Sequence, residues 1–131
     1  MATDAHNVNE ISRISAHSFQ KGNFYSDNDI RIDGVFEGDI VTNGKAVVGE
    51  NAKVSGNIIC ANLDVWGNIT GEVFVKDVLC LKASANVQGN MHYSRIQLEF
   101  GASFEGMCKR MAAEEFDGIF AAKDIRKKTE E

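Results

Sequence analysis

The residues of this 131-residue chain that could do chemistry are three histidines, three cysteines and a scatter of carboxylates. A histidine works as a general base or as a zinc ligand only in company, with an orienting group in the first case and further ligands in the second. His6 and His17 fall in or near the N-terminal segment, and His92 stands beside Tyr93 far along the chain. No HxxxH spacing and no Ser/His/Asp order accompanies them, and the glycines are single and evenly spaced, unlike those of a nucleotide loop. His92 therefore reads as surface decoration. Cys60, Cys80 and Cys108 are odd in number and form no CxxC pair, which points to reduced thiols in a cytosolic protein.

The oxygens fare no better as a site. Ser26-Asp27-Asn28-Asp29 gathers side-chain acceptors but lacks the glycine and distal glutamate of a calcium loop, so it reads as a turn that gives its oxygens to the backbone. Glu37, Asp39, Asp64 and Glu72 are spread over outward positions of the pattern described next, as on a solvated face. No metal, no catalytic residue and no cofactor is called for. A net charge of −5 argues against a nucleic-acid partner, which needs a concentrated basic face; the one basic cluster, Arg126-Lys127-Lys128, is flanked by acids. No run approaches the roughly 18 apolar residues that span a bilayer. Met1 to Asn7 is polar, so no secretory signal is visible.

The element that must position these side chains is a repeat. Gly38, Gly56, Gly71, Gly89 and Gly106 recur at intervals of 15 to 18 residues, too regular for scattered turns and too short for helical repeats. Each closes a small-x-apolar-x-Gly phrase: Gly34 to Gly38, Ala52 to Gly56, Gly67 to Gly71, Ala85 to Gly89 and Ala102 to Gly106. Upstream lie the alternating runs Ile30-Arg-Ile32, Ala46-Val-Val48, Leu63-Asp-Val65, Leu79-Cys-Leu81 and Ile96-Gln-Leu98, the period-two mark of a strand with one buried face. A fixed period of this size predicts an all-β solenoid, a single-stranded β-helix of about six rungs with two strands per rung. The bend between them is short at Asp33-Gly34 and Trp66-Gly67, and longer at 49–52, 82–85 and 99–102. An antiparallel sandwich has no reason to repeat one phrase five times.

The pattern divides the chain into a flexible tail at 1–13, the β-helix at 14–108 and a C-terminal tail at 109–131. Ser18, Gly22 and Phe24 sit where a further copy would place them, with Phe19 standing in for the apolar residue expected at Gln20, so the first rung is irregular. Ala112, Phe116, Ile119, Phe120 and Lys123 are at helical spacing and predict a short amphipathic helix. It is expected to fold over the last rung as a cap, or else to dock on a partner or on lipid.

Several stretches carry a resemblance to a known family: Asp29-Ile-Arg31-Ile-Asp33-Gly34 followed by Glu37-Gly38-Asp39-Ile40, then Gly89-Asn-Met-His-Tyr93, and Gly101-Ala-Ser-Phe104-Glu-Gly106. Over about 14 to 108 the sequence resembles the bactofilins, bacterial cytoskeletal proteins. The resemblance implies a right-handed β-helix between short tails. It also implies assembly into filaments without nucleotide and a scaffold that positions cell-envelope or shape-determining partners, in the cytoplasm at the inner face of the membrane. The chain departs from the family in its irregular first rung, in an N-terminal tail with no apolar membrane-binding stretch, and in a C-terminal tail without proline; direct lipid contact stays open.

A β-helix ends in two exposed rungs with unpaired backbone groups, and the chain has no proline to block them. Its terminal rungs are its most aromatic. Phe19, Phe24 and Ile30 at one end, and Ile96, Leu98, Phe100 and Phe104 at the other, are the expected polymer interface, with Gly38, Gly56, Gly71, Gly89 and Gly106 as structural turn glycines. The partner is then a second copy of the chain. Two other readings remain: a β-helical adaptor that does not polymerise, and a transferase of the hexapeptide-repeat type, for which the histidines are too few.

Overall fold

The computed structural model describes residues 11–123; His6, most of the 1–13 tail and the cluster Arg126-Lys127-Lys128 lie outside the described residues. Within them the chain winds into six rungs of three strands each, one more strand per rung than the sequence pattern suggested. The first rung is β1 (Ile11–Ile14), β2 (Phe19–Lys21) and β3 (Phe24–Ser26), and the second is β4 (Asp29–Ile32), β5 (Val35–Glu37) and β6 (Ile40–Thr42). The third holds β7 (Lys45–Val48), β8 (Lys53–Ser55) and β9 (Ile58–Cys60). The fourth opens with β10 (Asn62–Val65) and β11 (Asn68–Thr70), then β12 (Val73–Leu81) turns the corner into the fifth. After β13 (Asn86–Gln88), β14 (Met91–Leu98) turns the same corner into the sixth, which ends in β15 (Ser103–Glu105) and β16 (Cys108–Arg110).

Every pairing is parallel, and each strand pairs with its counterpart one rung away. The rod therefore has three faces. Face A carries β1, β4, β7, β10 and the second halves of β12 and β14; face B carries β2, β5, β8, β11, β13 and β15; face C carries β3, β6, β9, the first halves of β12 and β14, and β16. Faces A and C form one sheet because β12 and β14 bend across their shared corner, with a register shift between Val75 and Val78 in β12.

Alternation fixes which side chains point inward, and parallel register stacks like on like. Ile32, Val48, Val65 and Leu81 form a column on face A, Phe36, Val54, Ile69 and Val87 on face B, and Ile40, Ile58, Val73 and Met91 on face C, all buried. Buried apolar area of this kind contributes roughly 25 cal/mol per Å², and each rung supplies its share to the next. The corner between faces B and C is a column of glycines. Gly56 sits at φ 144° and donates its N–H to the Thr70 carbonyl at 2.9 Å, and a Cβ there would run into the Gly38 carbonyl oxygen. Only glycine meets both demands.

The bends between faces A and B come in the two lengths the sequence shows. The longer ones close on themselves, Ala52 N–H to Gly49 O at 3.0 Å and Ala85 N–H to Lys82 O at 2.9 Å, and so bulge outward without disturbing the ladder. The first rung is incomplete inside: Gln20 occupies the slot in register with Phe36, and it is exposed because no apolar side chain fills that place.

The helix α1 (Ala113–Lys123) lies along the side of the rod and does not cap its end. Strands of face C carry apolar residues outward as well as inward. Tyr25, Val41, Ile59 and Phe74 form an outward column on which Met111, Phe116, Ile119 and Phe120 pack. The helix runs back from the last rung, so that Phe120 meets Tyr25 of the first rung edge to face at 5.8 Å between ring centres. Glu114 and Glu115 in its first turn and Lys123 in its last suit the helix dipole, and Glu115 accepts the Ala112 N–H at 3.1 Å.

Candidate assembly surface at the rod ends

The residues with chemical potential are kept apart. His92 lies flat on Phe74, ring centres 4.5 Å apart, and His17 sits in the first bend at φ 68°. Among the described residues no group of three His, Cys, Asp or Glu could hold a metal ion. Asp64 is paired with Lys45 at 2.9 Å. Asp39 and Glu72 belong to a ladder at the corner after the glycines: Asp39 N–H donates to Asn23 Oδ1 at 3.1 Å, Asn57 N–H to Asp39 Oδ1 at 3.2 Å, Glu72 N–H to Asn57 Oδ1 at 3.2 Å, and Met107 N–H to Asn90 Oδ1 at 3.2 Å. The Ser26–Asp29 cluster is spent likewise, with Asn28 N–H on Ser26 Oγ at 2.9 Å, Asn43 Nδ2 on Asp27 Oδ1 at 2.9 Å and Lys45 N–H on Asp29 Oδ1 at 2.9 Å. These carboxylates hold rung to rung.

Cys60 is fully buried, and burial pushes its thiol far above the ordinary value; Cys80 is buried on face A, while Cys108 is exposed on the last rung.

What remains unfilled is the two ends. Among the described residues β1, β2 and β3 at the N-terminal end each pair on one side only, with β4, β5 and β6. At the other end β15, β16 and the segment Arg95 to Leu98 of β14 pair only inward. Each edge presents N–H and C=O groups that a further strand could use. Apolar side chains accompany them. Phe100 is completely exposed at 102% and Leu98 is 58% exposed, while Ile96, Ala102 and Phe104 are half buried, packed downward on the core and bare above. At the N-terminal end Ile14 and Phe24 are half buried on the core, while Phe19, 62% exposed, and Ile11, 51%, stand in register with Val35 and Asp29 in outward slots at the rim of the rung. Ile30 is different from the expectation: it lies one rung in, beneath Ser12, and is 1% exposed, so it is a core residue and no part of the end surface. Ile11 was not singled out from the sequence, since it precedes the alternation; Met107, 63% exposed, is one of the few apolar residues in an outward slot, at a position that is polar in the other rungs.

The C-terminal end also holds a shallow depression lined by Tyr93, Ser94, Arg95, Ile96 and Arg110. Arg95 is paired with Asp77 at 2.7 Å, and Arg110 Nε donates to the Ser94 carbonyl at 3.2 Å. Burial, and then the neighbouring Cys108, raises the Tyr93 phenol above its ordinary value. Both guanidinium groups are thus tied to neighbours within the molecule.

No helix among the described residues is long and apolar enough to cross a membrane. Among the described residues the geometry is that of a short rod whose end strands each keep one unpaired edge. Comparison with known proteins agrees with the β-helical fold. The chain is 31% identical over 85 residues to bactofilin BacO of Myxococcus xanthus (strain DK1622), a match covering 65% of this chain and 68% of that protein. It superposes on the structure described as the atomic structure of the cytoskeletal bactofilin BacA, revealed by solid-state NMR, with a TM-score of 0.70 at 28% identity over 77% of this chain and 96% of that one. The family model described as bactofilin, polymer-forming cytoskeletal, matches residues 12–109, and the chain belongs to that family.

Proposed function

We propose that this protein assembles end to end into filaments without nucleotide, each tip adding its strands to the next copy's ladder, and that the filament positions cell-envelope or shape-determining partners at the inner face of the cell membrane. The observation that carries the reading is the bareness of the tips: Phe100 and Leu98 at one end and Phe19 at the other stand exposed beside unpaired strand edges. The helix that was expected to cover an end packs along the side instead.

The energetics permit it. Each apolar side chain that becomes fully buried contributes ~1.5–3 kcal/mol, and a tip offers about five. Association costs ~4–15 kcal/mol in lost translation and rotation. Rungs that are ordered before contact add little further entropy cost, so no nucleotide is needed to drive assembly.

The interface residues are Ile96, Leu98, Phe100 and Phe104 at one tip and Phe19 and Phe24 at the other. Phe104→Arg places a charge in the contact, but Phe104 also leans on the core, so Phe100→Asp is its companion: that side chain touches nothing within the molecule that its loss would disturb. Both variants should stay folded by circular dichroism and sediment as small species where the parent forms filaments by negative-stain microscopy. Filaments unchanged in both variants would remove these residues from the contact, and a parent that stays monomeric at micromolar concentration would point to the adaptor reading.

A further inference from the structure

Face C is the one side of the rod with an outward apolar column, and it is the side that α1 covers. Beneath the helix Val41 is 4% exposed and Ile59 0%, so this part of the sheet is as dry as the core although it points outward. Sheets with one solvated face normally alternate apolar-in and polar-out. From its third rung on face B keeps that rule, with Lys53, Ser55, Thr70 and Gln88 outward and exposed; its outward apolar pair, Phe19 on Val35, is confined to the first two rungs. The exception on face C is confined to neighbouring rungs and is in register, Val41 on Ile59 and Ile59 on Phe74.

The cover is weakly held. Of the eleven residues of α1 only Phe116 is buried, with Ile119 and Phe120 half buried. Gly118 sits in its interior in open space, and glycine there disfavours the helix relative to alanine. The ion pair between it and the rod among the described residues, Lys76 to Asp117 at 3.2 Å, is between exposed side chains and contributes little. An isolated helix of this length is marginal in water, so among the described residues Met111 just before the helix, one buried aromatic and two half-buried residues hold a segment that would otherwise unravel.

We propose that face C is a lateral interface between copies of this chain, and that α1 is the strap that keeps it shut. With the strap released, Tyr25, Val41, Ile59 and Phe74 form a flat apolar band. The occupant that fits is the same band of a second copy, packed face to face as two sheets pack, about 10 Å apart. One band is small for a stable dimer. Along a rod built end to end it recurs in every copy at a fixed repeat, so two rods meet band to band and weak contacts multiply. In that respect the inference rests on the end-to-end reading. With the strap closed, Glu114 and Glu115 stand exposed on the helix and put like charge between neighbours.

The test uses the full chain with the strap loosened by two independent routes, Phe116→Asp, which removes its anchor, and Gly118→Pro, which breaks the helix and leaves the anchor. Both are expected to convert single filaments into laterally paired ones, roughly doubling the width seen by negative-stain microscopy. Adding Ile59→Lys to either should restore single filaments, because it charges the band and not the strap. Released variants that stay at single width would overturn the proposal, as would pairing that survives Ile59→Lys, since the freed helix would then be the adhesive. If the parent makes no filaments, the end-to-end reading fails separately, and sedimentation velocity carries the test: both released variants should form dimers that Ile59→Lys abolishes, and monomers throughout would sink it.

Discussion

The N–H of Asn57 donates to Oδ1 of Asp39, eighteen residues earlier, at 3.2 Å, and Asp39 in turn donates its own N–H to Asn23. The side chain after each turn glycine thus serves the rung that follows it. Removing one such acceptor leaves a corner N–H to water, at a net cost of ~0.5–1.5 kcal/mol. Asp39→Ala should lower the urea midpoint accordingly. Asp39→Asn keeps the accepting oxygen and should lie close to the parent; equal losses in both would mean that charge, and not the ladder, matters there.

Two glycines should respond in opposite directions to alanine. Gly56 is held at φ 144° against the Gly38 carbonyl, so Gly56→Ala is strained and crowded at once and should cost at least ~1–3 kcal/mol. Gly118 lies in a helix with open space around it, and Gly118→Ala should stabilise α1 by up to ~1 kcal/mol. Thermal melts distinguish the core loss from the strap gain, and hydrogen exchange of the amides of α1 should slow in the second variant alone.

The first rung invites a gain. Gln20 stands in register with Phe36, where the rungs above carry Val54 and Ile69. Gln20→Leu extends the apolar column to the tip. If the tips join copies, the variant should assemble at a severalfold lower concentration than the parent in a sedimentation assay. An unchanged threshold would place the N-terminal tip outside the contact.

The thiols report on folding. Cys108 is exposed and should react with a maleimide in the native protein, whereas Cys60 is sealed in the core and should react only on unfolding. Burial raises the Cys60 pKa in the folded state, so its contribution to stability is intact below the unfolded value of about 8.5 and is lost as pH rises past it, when only the unfolded chain ionises. Tyr93 is raised as well and acts in the same direction nearer pH 10. Stability should therefore fall on the alkaline side from about pH 9, and Cys60→Ala should flatten the first part of that fall; a slope unchanged by the substitution would assign it to other groups.

The sequence by itself determined the rungs, because one inward residue in two and one glycine per turn are local demands that recur wherever the chain comes round. Gly56 and its counterparts, the two bend lengths and the flaw at Gln20 all follow from that rhythm. The third strand of each rung was not legible. Ile40-Val41-Thr42 and Ile58-Ile59-Cys60 are buried on both sides, so they show no alternation and pass for a single apolar position after glycine. Ile30 was misplaced for a related reason: the rung beneath which it lies begins at Ile11 and sets Ser12 over it, where the pattern is too faint to count. Only the tertiary structure decided where α1 goes. The amphipathic spacing of Phe116, Ile119 and Phe120 says that a face must be covered. That the surface is Val41 and Ile59, more than fifty residues earlier, and not the open end of the last rung, depends on which outward residues the winding brings into line.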